Sequence, residues 1–144
     1  MKILVDGDAC PSIDKIKEVA IKYSLELILV IDTSHNFKYE DIKTILVDTK
    51  SQSVDVKISN LVEYNDIVIT NDYGLAVICL GKKANVVDFK GMIYTDKNIE
   101  NLLENRYLNY KLRKIGIHIR GPKKRTSNME KALVESLEQI INCK

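Results

Sequence analysis

Short apolar runs, each closed by an aspartate, constrain this chain more than any other feature. Lys2 to Val5 stops at Asp6, Glu26 to Ile31 at Asp32, Ile45 to Val47 at Asp48, Asp66 to Thr70 at Asn71-Asp72, and Ala84 to Val87 at Asp88. The Glu26 to Ile31 run does not alternate apolar with polar residues. Such a run is what a strand covered on both faces requires, and strands of that kind have parallel neighbours flanked by helices.

The segments between the runs read as helices. Pro11 suits a first helical turn, where its missing N–H has no partner to lose, and Ile13, Ile16, Val19, Ala20 and Tyr23 recur at helical spacing behind it. Asp55 can cap a helix reaching about Tyr64, and Tyr73 to Leu80 is a short apolar helix closed by Gly81. Beyond Gly91 the pattern is helical twice more, from Asp96 or Asn98 to about Arg113, and from a capping box at Ser127-Asn128-Met129-Glu130 to Ile141. The expectation is an α/β fold: one domain over residues 1–144, with a core at 1–90 and a C-terminal helical part at 91–144. A chain of this size buries about two thirds of its unfolded surface around one core.

Several classes are excluded. The apolar runs fall far short of the roughly 20 residues of a membrane-spanning helix, so no membrane partner is expected. Met1-Lys2 leads through three apolar residues to Asp6, which leaves no apolar stretch for a secretory signal. Cys10, Cys79 and Cys143 are odd in number and lack CxxC spacing, so a cytoplasmic setting fits best. Net charge is +2. Lys111, Arg113, Lys114, Arg120, Lys123, Lys124 and Arg125 fall in a stretch without an acid, which leaves the rest of the chain net acidic.

In a doubly wound parallel sheet, ligands bind beyond the carboxyl ends of the strands. That rule selects the aspartates. Any one of them is ordinarily a turn or cap residue. Carboxylates gathered on one rim repel, however, and a hard divalent ion such as Mg²⁺ or Mn²⁺, which takes oxygen ligands and keeps waters, relieves the repulsion. Asp6 and Asp8 are two apart and project to one side of an extended chain, with Gly7 between them. Asp72 joins them if its strand lies beside the first. His35, in the loop after the second run, is a candidate to touch a phosphate or an attacking water. Cys10 and Cys79 read as core or cap positions, and the scattered tyrosines offer no stacking platform.

Over essentially its whole length the chain resembles the YaiI/YqxD family of bacterial proteins, which is similar to the PIN-like nuclease superfamily. The resemblance rests on Val5-Asp6-Gly7-Asp8-Ala9-Cys10-Pro11, on Asp66 to Asp72 followed by Leu75-Ala76, and on Gly91 with Tyr94-Thr95 and Asn98-Ile99. Arg106, Leu112-Arg113 with Gly116, and Gly121-Pro122 extend it. Gly7 departs from the usual Ala, Tyr73-Gly74 from an Ile-Pro pair, Asp88-Phe89-Lys90 from Asn-Pro-Arg, and Arg120 from Gly.

The resemblance implies a PIN-like three-layer sandwich with a parallel sheet ordered 3-2-1-4-5 and additional C-terminal helices. It also implies an acidic metal site of Asp6, Asp8, Asp55 and Asp72 that binds Mg²⁺ or Mn²⁺ and hydrolyses RNA phosphodiesters. Asp32, Asp48 and Asp88 match no site position and are expected to be turn residues. His35, Asn71, Arg106, Arg113, Lys123, Lys124 and Arg125 are the expected substrate contacts, and a homodimer is implied by the same resemblance. Two other readings compete. One is a PIN-like module that binds RNA or protein without cleavage. The other is a haloacid-dehalogenase-type phosphatase with Asp6 as nucleophile, for which Asn71-Asp72 supplies only one of two expected acids.

Overall fold

The computed structural model describes residues 1–7, 10–33, 39, 41–48, 53–121 and 124–143. In chain order its elements are β1 (Lys2–Asp6), α1 (Ile13–Lys22), β2 (Glu26–Asp32), β3 (Lys43–Val47), α2 (Val54–Leu61), β4 (Ile67–Ile69), α3 (Tyr73–Gly81), β5 (Asn85–Val87), β6 (Ile93–Tyr94), α4 (Asp96–Lys114) and α5 (Ser127–Asn142).

The strands form one sheet in the order β3-β2-β1-β4-β5-β6. β3, β2, β1, β4 and β5 pair in parallel, in the order 3-2-1-4-5, and β6 adds an antiparallel edge. β6 was not expected, because a two-residue strand carries no periodicity to read. It returns through the tight turn at Asp88, whose N–H donates to the Met92 carbonyl at 2.9 Å.

Strand alternation sends odd and even residues of β1 to opposite faces. Ile3 and Val5 pack with Leu29 and Ile31 against Ile16 and Val19 of α1 and Leu133 and Leu137 of α5. Leu4 packs with Ile28, Val30 and Val68 against Val54 and Ile58 of α2, Leu75 and Cys79 of α3 and Ile99 of α4. Two apolar layers on one sheet make the three-layer sandwich, and they explain why these strands are apolar on both sides. Gly91 sits at φ +93° where a Cβ would come within 2.4 Å of the Ala132 carbonyl carbon, so only glycine lets α5 lie this close to the β5–β6 turn.

Three helix starts and two helix ends differ from the sequence expectation, α2 stopping at Leu61 rather than near Tyr64. α1 begins at Ile13, after Ser12 and Pro11. Ser53 rather than Asp55 caps α2, accepting from the Val56 N–H at 3.4 Å, and Asp55 enters the first turn, where a negative charge meets the positive end of the helix dipole. α5 is capped by Thr126, one residue ahead of Ser127. Gly81 is the last residue of α3, and the left-handed conformation falls on Lys83 at φ 62°. Among the described residues no helix is long and apolar enough to cross a membrane.

Candidate functional site

β1 and β4 are neighbours in register, with Val5 opposite Ile69. The next residues, Asp6 and Thr70, therefore emerge side by side at the carboxyl rim. The Thr70 hydroxyl donates to Asp6 Oδ2 at 3.0 Å and accepts from the Asp72 N–H at 2.9 Å. Thr70 is fully buried. Asp72 is the N-cap of α3, its Oδ1 accepting from the N–H groups of Gly74 at 2.9 Å and Leu75 at 3.3 Å. One hydroxyl thus ties the acid that ends β1 to the acid that opens α3. Thr70 is the rim residue that the sequence alone does not single out. Its signal was available, since a hydroxyl two residues before an aspartate can accept from that aspartate's own N–H.

Two further rim residues accept from backbone N–H groups. Asn71 Oδ1 accepts from the Phe89 N–H at 2.9 Å, and Asp88 Oδ1 accepts from the N–H groups of Lys90 at 2.9 Å and Met92 at 2.8 Å. Asp88 therefore organises a turn, as expected, although it is almost fully buried.

Asp72, Asn71 and Tyr73 form one wall of a groove of about 520 Å³, and Leu102, Asn105, Arg106, Asn109 and Arg113 form the other. Those α4 residues recur at three- and four-residue spacing, so one helix face supplies the whole second wall. A capping box fixes where that helix starts. Thr95 Oγ1 accepts from the Asn98 N–H at 3.1 Å, and Asn98 Oδ1 accepts from the Thr95 N–H at 2.8 Å. The Arg106 guanidinium lies 5.8 Å from the centre of the Tyr73 ring. Two arginines seven residues apart in the chain thus face Asp72 across an open channel.

The remaining expected site residues scatter. Asp55 lies half-buried in the first turn of α2 and is outside the Thr70-linked set. Lys124 is exposed. Arg125 is an anchor, donating to the Phe89 carbonyl and the Ser12 hydroxyl and so fastening the segment before α5 to the loop before α1. Lys111 and Lys114 sit over the rings of Tyr107 and Tyr110 on exposed α4, at 4.8 and 4.9 Å, and with Arg113 they complement the negative end of the helix dipole. Asp8, His35 and Lys123 lie outside the described residues.

Burial pushes the Cys10 thiol up to about 11, with the Ser12 backbone and Arg125 opposing and Asp6 adding, and burial pushes Cys79 up to about 11 as well. Both are thiols at neutral pH, in keeping with their reading as packing residues. Tyr94 is raised above its ordinary value by burial first, then by Asp88, Tyr73 and Asp72 nearby. Among the described residues its buried hydroxyl has no hydrogen-bond partner. Tyr73 and Tyr94 meet edge to face at 6.0 Å, a pairing that strand order creates and sequence spacing conceals.

The amino-acid sequence matches the family described as "Uncharacterized BCR, YaiI/YqxD family" over residues 4–143. The chain belongs to the YaiI/YqxD family. Curated relatives agree. A UPF0178 protein of Clostridium kluyveri is 43% identical over 141 residues, covering 98% of this chain and 93% of the relative. Another, from Clostridium novyi, is 42% identical over 142 residues, covering 99% and 95%. Among solved structures, this YaiI/YqxD chain is similar in fold to Rae1 (YacP) from Bacillus subtilis, with a TM-score of 0.50 and 17% identity over 100% of both chains.

Proposed function

We propose that this YaiI/YqxD protein is a divalent-metal-dependent nuclease that hydrolyses RNA phosphodiesters at the carboxyl rim of its sheet. The observation that carries the reading is the joining of Asp6 and Asp72 through Thr70 beside a groove lined by Arg106 and Arg113.

The donor set fits a hard cation. Among the described residues no group of three His, Cys, Asp or Glu side chains is placed to hold a metal. Mg²⁺ commonly takes only one or two carboxylates from the protein and completes its shell with waters and substrate phosphate. Asp6 and Asp72 would hold the ion, with Asp8 as a further ligand. A bound divalent ion supplies an activated water and stabilises the leaving oxygen.

The protein's own groups do the rest. Thr70 fixes the Asp6 carboxylate by donating to Oδ2. Arg106 and Arg113 offer planar, permanently charged forks to phosphates running along the groove. Asn71 keeps its side-chain amide N–H groups for a substrate oxygen, because its Oδ1 is taken by the Phe89 N–H.

The test is calorimetric titration with Mg²⁺ and Mn²⁺ of the wild type and of Asp6→Asn/Asp72→Asn, followed by cleavage of end-labelled single-stranded RNA. Saturable binding lost in the double variant, with metal-dependent cleavage lost alongside it, is the expected result. Cleavage that survives in the double variant overturns the reading. RNA binding without cleavage by the wild type would assign the groove to a binding module.

A further inference from the structure

We propose that the pocket walled by Asn71, Tyr73, Asp88, Lys90 and Tyr94 is a nucleobase subsite, taking the base of a nucleotide whose phosphate lies in the adjoining arginine-lined groove. The inference rests on the nucleic-acid reading of the rim but not on cleavage.

Asn71 and Tyr73 line both cavities, so a strand lying along the groove has a direct exit there for a base. The pocket holds about 230 Å³, below the roughly 300–1,000 Å³ of sites for drug-sized ligands, which suits one planar ring system. Its polar groups converge from different elements. Tyr94, on β6, is 2% exposed and carries a hydroxyl without a partner among the described residues. Asp88, after β5, has Oδ1 saturated by two turn N–H groups, which leaves Oδ2 as an acceptor. Every nucleobase presents a hydrogen-bond donor next to an acceptor on its Watson–Crick edge, and single-stranded bases are read on that edge while lying against aromatic rings. Adenine and cytosine have an exocyclic donor beside a ring acceptor, whereas guanine and uracil have the reverse order, so one fixed acceptor–donor pair tells bases apart. Asp88 accepts from the base, the Tyr94 hydroxyl donates to it, and Tyr73 supplies the aromatic wall. Lys90 is exposed beside them and offers a cation to the phosphate.

The mutual placement of these residues explains why Tyr94 keeps a hydroxyl in an apolar layer. A phenylalanine would fill the same space against Tyr73 without leaving a polar atom unmatched.

The experiment is equilibrium binding of fluorescent RNA octamers in EDTA, where no cleavage occurs. The probes are oligoadenylate, oligocytidylate, oligouridylate and a guanosine-containing octamer in an oligouridylate background. Wild type should prefer one of the four by about tenfold. Tyr94→Phe should reduce that preference to under about threefold, keep the salt dependence set by the groove's arginines, and be at least as stable as the wild type in thermal unfolding. Equal binding of all four octamers by wild type overturns the proposal, as does a preference unchanged in Tyr94→Phe. If no octamer binds, the subsite and the RNA reading fall together. If the preference stands while metal-dependent cleavage is absent, the subsite stands and the nuclease reading falls alone.

Discussion

At the amino end of β4, Asp66 accepts from the Lys2 N–H at 3.0 Å, from the Lys2 ammonium at 2.6 Å and from the Glu63 N–H at 2.8 Å. Past the carboxyl end of the same strand, Asp72 accepts from the N–H groups of Gly74 and Leu75 and, among the described residues, from no ammonium. Asp66 is buried and its charge is balanced by a lysine. Asp72 is half-exposed, opens onto a groove and is held by neutral donors. The same residue type at the two ends of one strand thus closes one rim and leaves charge available at the other. A buried carboxylate needs a partner to be tolerated at all. One held only by dipoles at a groove keeps its charge for a ligand.

That contrast predicts opposite mutational behaviour. Asp66→Asn removes the charge that Lys2 was brought in to meet and should cost about 3 kcal/mol in urea unfolding. Equal tolerance of Asn at 66 and 72 would break the comparison. Thr70→Val comes next. It conserves shape while withdrawing a donor from Asp6 and an acceptor from the Asp72 N–H inside a buried site, at about 1–2 kcal/mol. It should also weaken Mg²⁺ binding, measured by calorimetry, because Asp6 loses the group that orients it. A Thr70→Val protein with unchanged stability and unchanged metal affinity would show the hydroxyl to be incidental.

Asp72→Asn should shift stability by no more than about 0.5 kcal/mol, since Asn caps a helix as well as Asp does. Its effect is expected in metal binding alone. A large loss of stability there would make Asp72 a structural residue like Asp66.

How much of this could be read from the sequence follows from which interactions are local. The apolar runs gave every parallel strand, because burial on both faces leaves a mark in each residue. The aspartates after those runs marked the rim for the same reason, strand ends being local events. Sequence alone could not say which rim acid meets which. Thr70 reads as the last residue of an apolar run, and only the β1–β4 register makes it the link between Asp6 and Asp72. Tyr73 and Tyr94 looked scattered because they meet only once β6 folds back beside β5. Arg125 looked like one more cation in a basic stretch, yet the fold uses it as an anchor. The helix caps were misplaced by one or two residues at Asp55 and Ser127 because a serine or threonine stood just upstream and won the N–H groups.

The smallest effect is a pH dependence that separates the amino rim from the core. Burial lowers the Lys2 pKa, but its hydrogen bonds and charges with Asp66 and Glu63 together outweigh that and hold it above 10.5. A lysine that binds its proton more tightly when folded contributes stability that is whole below pH 10.5 and fades as pH rises through the raised value. Cys10 and Cys79 act in a neighbouring window. Burial raises each thiol from 9.0 to about 11, so their contribution is whole below pH 9 and fades toward pH 11. Urea midpoints of wild type and Lys2→Met between pH 8 and 12 distinguish the two. Both proteins should weaken in parallel from pH 9, through the two buried thiols and the Tyr94 phenol they share, and the gap between them should stay constant until about pH 10.5 and then narrow. A gap that narrows already at pH 9 would mean that Lys2 is not held by its two carboxylates, and that the amino rim is no more closed than the carboxyl one.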